Sequence, residues 1–221
     1  MHVVAVVNSK GGVGKTTIAS ALAVRAARES PRVAMVDLDP QRSLVEWWRR
    51  RGKTQNPTIF DGVDTAAEAV ERLSQTGWDW VIVDSPPAFL RVIEEVIAAA
   101  DLAVIPIRAS ILDLLATQDA VVLAQKVGTP FLCVLNDVNP RERLAEEARS
   151  TLFTAGMPIA DTNISHRVSH VAAMTAGKSA AEVNGAKDKA AAAEIDALWL
   201  EVRAAVLAAT KRKAKEATDG R

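Results

Sequence analysis

Residues 8–17 read NSKGGVGKTT, directly after the apolar run HVVAVV. A β-branched run, a glycine-rich loop and a helix-forming stretch from Thr16 are the parts of a loop that holds phosphate. Gly11, Gly12 and Gly14 let the backbone N–H groups around Val13 turn inward, in conformations that a Cβ resists. The helix that follows adds the positive end of its dipole and its unpaired N–H groups. Lys15 is placed to reach the β- and γ-phosphates, the Thr16 hydroxyl to bind Mg²⁺, and Thr17 to hold the α-phosphate. The usual pattern has glycine where Ser9 stands, and it needs one lysine. Lys10 is a second.

Working outward, short β-branched runs alternate with longer alanine-rich stretches. Strands are expected at 2–8, 32–39, 57–60, 78–84, 101–107 and 130–136, with a short last one at MPIAD (157–161). Helices are expected at 16–28 and 41–51, from a capping box of Thr65 and Glu68 to 73, at 90–99, after a Ser110 cap with Asp113 three residues on, and at 141–155. A short helix then precedes a long last one, 188–213. The strands are nearly continuous apolar runs, so helices must cover both sheet faces. The expected fold class is α/β: a mostly parallel, twisted sheet flanked by helices on both faces. One domain, 1–210, is expected, with a flexible basic tail at 211–221.

The carboxylates fall at strand ends. Asp84 closes VIVD, where a carboxylate holds a Mg²⁺ shell through water. Asp37 and Asp39 flank Leu38 and share a strand face. Asp39 is also well placed to cap a helix begun by Pro40. Asn136 ends FLCVLN; its amide suits either a turn or an adenine edge, which needs one donor and one acceptor.

Composition removes several classes. The 221 residues balance 27 basic against 27 acidic side chains, so affinity for nucleic acid must come from a local patch. The single cysteine, Cys133, excludes an intrachain disulfide and a multi-cysteine metal site, and sits where a buried small hydrophobe belongs. No apolar run approaches a membrane span, and the N-terminus does not read as a secretory signal. The cytoplasm is the expected compartment.

KGGVGKTT resembles the deviant Walker A motif of the ParA/MinD family of P-loop ATPases. VDLDPQ and VIVDSPP extend the resemblance in the expected order, IPIRASILD and VLN more loosely. The resemblance implies ATP and Mg²⁺ as cofactors and a nucleotide-sandwich homodimer in which Lys10 reaches the partner's phosphates. It also implies that Asp39 orients or deprotonates the attacking water, that Asp37 supports the Mg²⁺ environment and that Asn136 reads the base.

Absences then choose within the family. One cysteine argues against iron–sulfur relatives, and the lack of tyrosine against tyrosine-kinase relatives. The stripe Ile195, Leu198, Trp199, Val202 and Val206 is expected to pack the last helix onto the domain. The final eleven residues hold no Leu, Ile, Val, Phe or Trp, so membrane insertion is not expected. Nonspecific DNA binding remains, with Arg167, Lys178, Lys211, Arg212, Lys213 and Lys215 as candidates. WWRRRGK is a second basic cluster, its tryptophans read as core or interface. No helix-turn-helix extension is seen before the first strand, so sequence-specific operator binding is not expected. The expected function is a nucleoid-associated, ParA-like ATPase that positions a plasmid, chromosome locus or protein cargo when a ParB-like or adaptor partner stimulates hydrolysis. The rivals are a MinD-like membrane regulator and a P-loop enzyme that uses ATP on a small molecule.

Overall fold

The computed structural model describes residues 1–52, 54–87, 89–139, 141–183 and 186–219. Lys53 of the WWRRRGK cluster and the last two residues of the expected tail lie outside them. Among the described residues the strands are β1 (His2–Val6), β2 (Val33–Asp37), β3 (Thr58–Ile59), β4 (Trp80–Asp84), β5 (Leu102–Ile107), β6 (Phe131–Val138) and β7 (Ile164–Ser165). They form one parallel sheet in the order β3-β2-β4-β1-β5-β6-β7. The helices are α1 (Lys15–Ala26), α2 (Ser43–Arg50), α3 (Ala66–Ser74), α4 (Leu90–Ala98), α5 (Ile111–Val127), α6 (Leu144–Thr154), α7 (Val168–Thr175) and α8 (Ala186–Asp219).

Alternate strand residues feed two cores. Val3, Ala5, Val81, Val83, Ala103 and Ile105 face α3 to α6 on one side. Val4, Val6, Met35, Ile82, Leu102 and Val104 face α1, α2 and α8 on the other. Both faces are therefore covered, which is why the strands read as unbroken apolar runs. Helix α1 is apolar nearly all round because it lies between sheet and α8. Ile195, Leu198, Trp199, Val202 and Val206 of α8 are fully buried, each worth about 1.5–3 kcal/mol of transfer free energy. The Trp199 ring meets Trp80 edge-on at 4.7 Å, and its indole N–H donates to Glu29 Oε2 at 3.0 Å. Trp47 is likewise core. Cys133 is buried in β6, and burial pushes its thiol up to about 12.

Capping sets several boundaries. Thr65 Oγ1 accepts the Glu68 N–H, while the Glu68 carboxylate accepts from the N–H of Asp64 rather than of Thr65. Ser110 Oγ accepts the Asp113 N–H, and α5 ends at Gly128 with φ 79°. Three expectations change. MPIAD makes only a single parallel bridge, Cys133 to Ile159. The edge strand is β7, held where the Glu194 carboxylate accepts from the Ser165 N–H and hydroxyl. Pro40 does not start a helix: a turn intervenes, with Arg42 at φ 55°, and α2 begins at Ser43. Helix α8 runs on to Asp219 rather than ending near 213, since the alanines, lysine and glutamate of 214–217 are good helix formers.

Candidate nucleotide site

The loop 8–14 joins the carboxyl end of β1, in mid-sheet, to the N-terminus of α1. Strand order places helices on opposite faces around this point, where open α/β sheets leave a crevice for ligand. Gly14, the N-cap, has no side chain to cap α1, which leaves the first-turn N–H groups for an anion. Gly12 and Gly14 take φ of 76° and 92°. Gly14 is needed twice over, because a Cβ there would lie 2.2 Å from Asn136 Nδ2. That amide donates to the Val13 carbonyl at 2.7 Å, so Asn136 clamps the back of the loop. Gly14→Ala is expected to cost about 2–3 kcal/mol in urea unfolding. Adding Asn136→Ala should return the steric part and leave the φ cost of about 1–2 kcal/mol. Simple additivity of the two losses would remove the close approach as the cause.

Lys15 and Thr16 start α1 and point into the loop. Lys15 is buried and donates to the Lys10 carbonyl at 3.1 Å. Burial lowers its pKa, while the charges of Asp84 and Asp39 pull it back up. The Thr16 hydroxyl donates to Asp84 Oδ2 at 2.6 Å. Asp84 Oδ1 is buried with no hydrogen-bond partner among the described residues. Complete burial pushes this carboxyl up to about 7; the Thr16 hydrogen bond opposes that and the Asp37 charge adds to it. A hydroxyl and a starved carboxylate, side by side under a phosphate loop, suit Mg²⁺ completed by phosphate oxygens and water. No cluster of three or more His, Cys, Asp or Glu able to hold a metal occurs among the described residues. With the Thr16 hydroxyl and one Asp84 carboxylate on offer, most of a cation's shell is left to phosphate and water. When bound, such a cation would neutralise phosphate charge.

Asp37 is engaged by backbone donors. Its Oδ2 accepts from the N–H groups of Leu44 and Val45 at 3.0 Å each, and its Oδ1 from that of Asp39 at 3.1 Å. The carboxylate caps α2 from a distance and acts on Asp84 through charge. Burial raises its pKa against those N–H bonds. Asp39 is half-buried, and its Oδ1 accepts the Gln41 N–H at 2.9 Å in a tight turn. Its charge is felt by both Lys15 and Asp84.

The first half of the loop is stitched to α5 and the end of β5. Asn8 Nδ2 donates to the Pro106 carbonyl at 2.9 Å, and Ser9 Oγ to the Ala116 carbonyl at 3.0 Å. The serine in the first glycine position is therefore an anchor. Lys10 Nζ lies 2.7 Å from Asp113 Oδ1. Sequence reasoning took Asp113 only as part of a helix cap.

A cleft of about 460 Å³ opens beside the loop, floored by Gly12, Gly14, Thr17 and Asn136. Its wall holds residues the sequence did not single out. Asp137, at φ 60°, pairs with Arg108 at 3.3 Å and His166 at 2.5 Å. His170, whose pKa burial lowers, has Nε2 unpartnered among the described residues. These side chains come from the carboxyl ends of β5, β6 and β7 and from α7, and meet only in the folded chain, so no periodic pattern marks them. A larger groove of about 590 Å³ beside Phe153 and Met157 borders none of the loop residues.

The basic candidates fall in three places. Arg167 caps α7 and pairs with Glu194 at 2.6 Å on the cleft wall. Lys178 is exposed next to the basic end of α2, and its carbonyl accepts the Trp47 indole N–H at 3.2 Å. Lys211, Arg212, Lys213 and Lys215 are exposed on the last turns of α8. Lys213 pairs with Asp101 at 3.1 Å, at the amino end of β5 and so at the opposite end of the sheet from the loop.

Two relatives are named "Maintenance of carboxysome distribution protein A". That of Halothiobacillus neapolitanus is 30% identical over 90% of this chain and 94% of its own, that of Gloeobacter kilaueensis 38% identical over 87% and 90%. An ATP complex of McdA from Cyanothece superposes with a TM-score of 0.68 at 19% identity, over 90% of this chain and 96% of that one. Residues 4–180, from β1 to just beyond α7, match the CbiA family, the CobQ/CobB/MinD/ParA nucleotide binding domain. The chain therefore belongs to the CobQ/CobB/MinD/ParA family of nucleotide binding domains.

Proposed function

We propose that this ParA-like protein binds ATP with Mg²⁺, closes into a homodimer around two nucleotides, coats DNA without sequence preference and releases it on hydrolysis. The observation that carries the reading is the pairing of two lysines in one phosphate loop, with Thr16 and Asp84 2.6 Å apart beneath it. Lys15 serves its own nucleotide. Lys10 serves the partner's, which ties dimerisation to occupancy, as an arginine finger supplied in trans does. Asp39 orients the attacking water, and Thr17 holds the α-phosphate. The cleft beside the loop has the volume for a nucleoside, with Asn136 at its floor. The cycle is a nucleotide switch: ATP favours the dimer and hydrolysis ends it. Given the relatives' names, the cargo is a protein assembly such as the carboxysome, coupled through an adaptor that stimulates hydrolysis.

The DNA surface includes Lys211, Arg212, Lys213 and Lys215, remote from the nucleotide end. Helix α8 keeps its apolar stripe inside the core, which speaks against a membrane anchor there. Combined Lys211→Glu, Arg212→Glu and Lys213→Glu should weaken ATP-dependent binding to duplex DNA about tenfold or more at low salt, and flatten its salt dependence. Co-sedimentation with DNA and with anionic liposomes, under ATP and ADP, measures this. Unchanged DNA affinity would shift the surface to Arg167 and Lys178. Liposome binding in place of DNA binding would favour the membrane regulator.

A further inference from the structure

Helix α2 is fastened at both ends. At its amino end Asp37 Oδ2 accepts the Leu44 and Val45 N–H groups, and the other oxygen of the same carboxylate accepts the Asp39 N–H at 3.1 Å. One planar group therefore ties the start of α2 to the backbone of Asp39. At the carboxyl end, the cap residue Arg51 meets the Glu182 carboxylate through two hydrogen bonds of 2.6 Å, Nη1 to Oε2 and Nη2 to Oε1. The pair is sheltered, its side chains being 13% and 25% exposed. A fork of this kind fixes orientation as well as distance. Glu182 is itself set by the 3₁₀ turn Ala180–Glu182, where Oε2 also accepts the Ser179 N–H at 2.9 Å. Burial would raise the Glu182 pKa, but Arg51 and the Ser179 N–H outweigh it and hold the carboxyl below its ordinary value. Arg51 Nη1 donates further to the Gly177 carbonyl at 3.3 Å, and the guanidinium lies 5.5 Å from the centre of the Trp47 ring. Gly177 abuts the helix end so closely that a Cβ there would fall 2.3 Å from the Arg51 nitrogen.

We propose that Glu182 is a positioning residue that acts through Arg51 and α2 on the Asp39 turn. The proposal rests on the reading that Asp39 orients the attacking water. The eight residues Ser43–Arg50 span about 12 Å and move as one rigid piece. The Leu44 and Val45 N–H groups therefore go where the Arg51 end is held. The Asp37 carboxylate turns with them, because both of its oxygens are engaged, and the Asp39 backbone follows Asp37. Lys15, Thr16 and Asn136 stand on α1 and β6, outside this line of contacts. The staple between Arg51 and Glu182 thus governs the reaction and not the binding of nucleotide. A shift of about 1 Å in a group that faces the attacking water is enough to slow a reaction about a hundredfold.

The test is Glu182→Gln. Its amide oxygen still accepts from Ser179, while its NH₂ group meets a guanidinium N–H, so the fork breaks and the 3₁₀ turn keeps its cap. Arg51→Lys breaks the fork from the other side, since an ammonium keeps the charge but cannot make two parallel bonds. Phosphate release with magnesium and ATP gives kcat, and titration calorimetry with a non-hydrolysable ATP analogue gives affinity. Each variant should lose about 10- to 100-fold in kcat, with affinity within about twofold of wild type, a difference under 1 kcal/mol. In an Asp39→Ala background neither should lower the residual turnover further. A merely structural role, which thins the folded population, would lower it in both backgrounds. If Glu182→Gln does not fold, Arg51→Lys decides alone. Wild-type kcat in the variants, a loss carried by affinity instead, or a further loss on top of Asp39→Ala overturns the staple and leaves the Asp39 reading standing. Full turnover by Asp39→Ala alone overturns that reading and the staple with it.

Discussion

Lys15→Ala is expected to weaken ATP binding by at least about a hundredfold, the loss of one or two charge-assisted hydrogen bonds worth about 1.5–3 kcal/mol each. Lys15 is 7% exposed and donates to the Lys10 carbonyl at 3.1 Å. Its burial disfavours the ammonium, which Asp84 and Asp39 offset. The charge is thus already desolvated and aimed into the loop, so phosphate oxygens that replace a neutral carbonyl are gained at little added desolvation. Alanine removes the only side-chain cation seated inside the loop among the described residues, and leaves the Asp37, Asp39 and Asp84 charges to repel the phosphates. Titration calorimetry with magnesium and ATP measures the loss, and thermal unfolding without nucleotide verifies the fold. Affinity within about threefold of wild type would contradict the phosphate-loop assignment, since such a difference is under 1 kcal/mol.

Asp39→Ala should behave in the opposite way. It is expected to bind ATP and to dimerise, but to turn over about 10²–10⁴-fold more slowly, the range for losing a positioned general base. Asp39 lies two residues past the end of β2, and its turn is built from both sides: its N–H donates to Asp37, and its carboxylate accepts from Gln41. The side chain is held at the phosphate end of the sheet without being buried, unlike Asp37 and Asp84. Phosphate release in single and multiple turnovers separates the step from nucleotide binding. Brisk release by the variant would remove Asp39 from the water-positioning role. Removing a like charge from the neighbourhood of Asp84 should, if anything, tighten ATP binding, so a variant that fails to bind ATP would count against the same assignment.

Much of the site was legible because its parts are local. A strand, a loop and a helix in consecutive residues present Lys15, Thr16 and Thr17 together whatever the rest of the chain does. Asp84 was legible because a carboxylate that closes an apolar run marks the carboxyl edge of a parallel strand. Asp37 was harder. Two carboxylates two apart look alike in sequence, yet one is taken up by α2 N–H groups at 3.0 Å and the other is not. Asn136 was read as a turn residue or a base contact; the hydrogen bond from its amide to the Val13 carbonyl, more than a hundred residues away, was not legible. The edge strand was misplaced because two residues, Ile164 and Ser165, carry no period, and side-chain bonds to Glu194 hold them.

By itself the sequence determined the phosphate loop, the parallel sheet covered on both faces, and the burial of the last helix along its apolar stripe. These follow from hydrophobic period and backbone preference, which act between near neighbours along the chain. Tertiary structure alone decided which cation meets which anion. Lys10 found Asp113, Lys213 found Asp101 and Arg167 found Glu194 because parallel crossovers bring distant turns to the same edge of the sheet. Pairs four apart along the chain, such as Arg25 with Glu29, follow from local spacing, but these long-range pairs are set by position in space, which no single stretch of chain encodes.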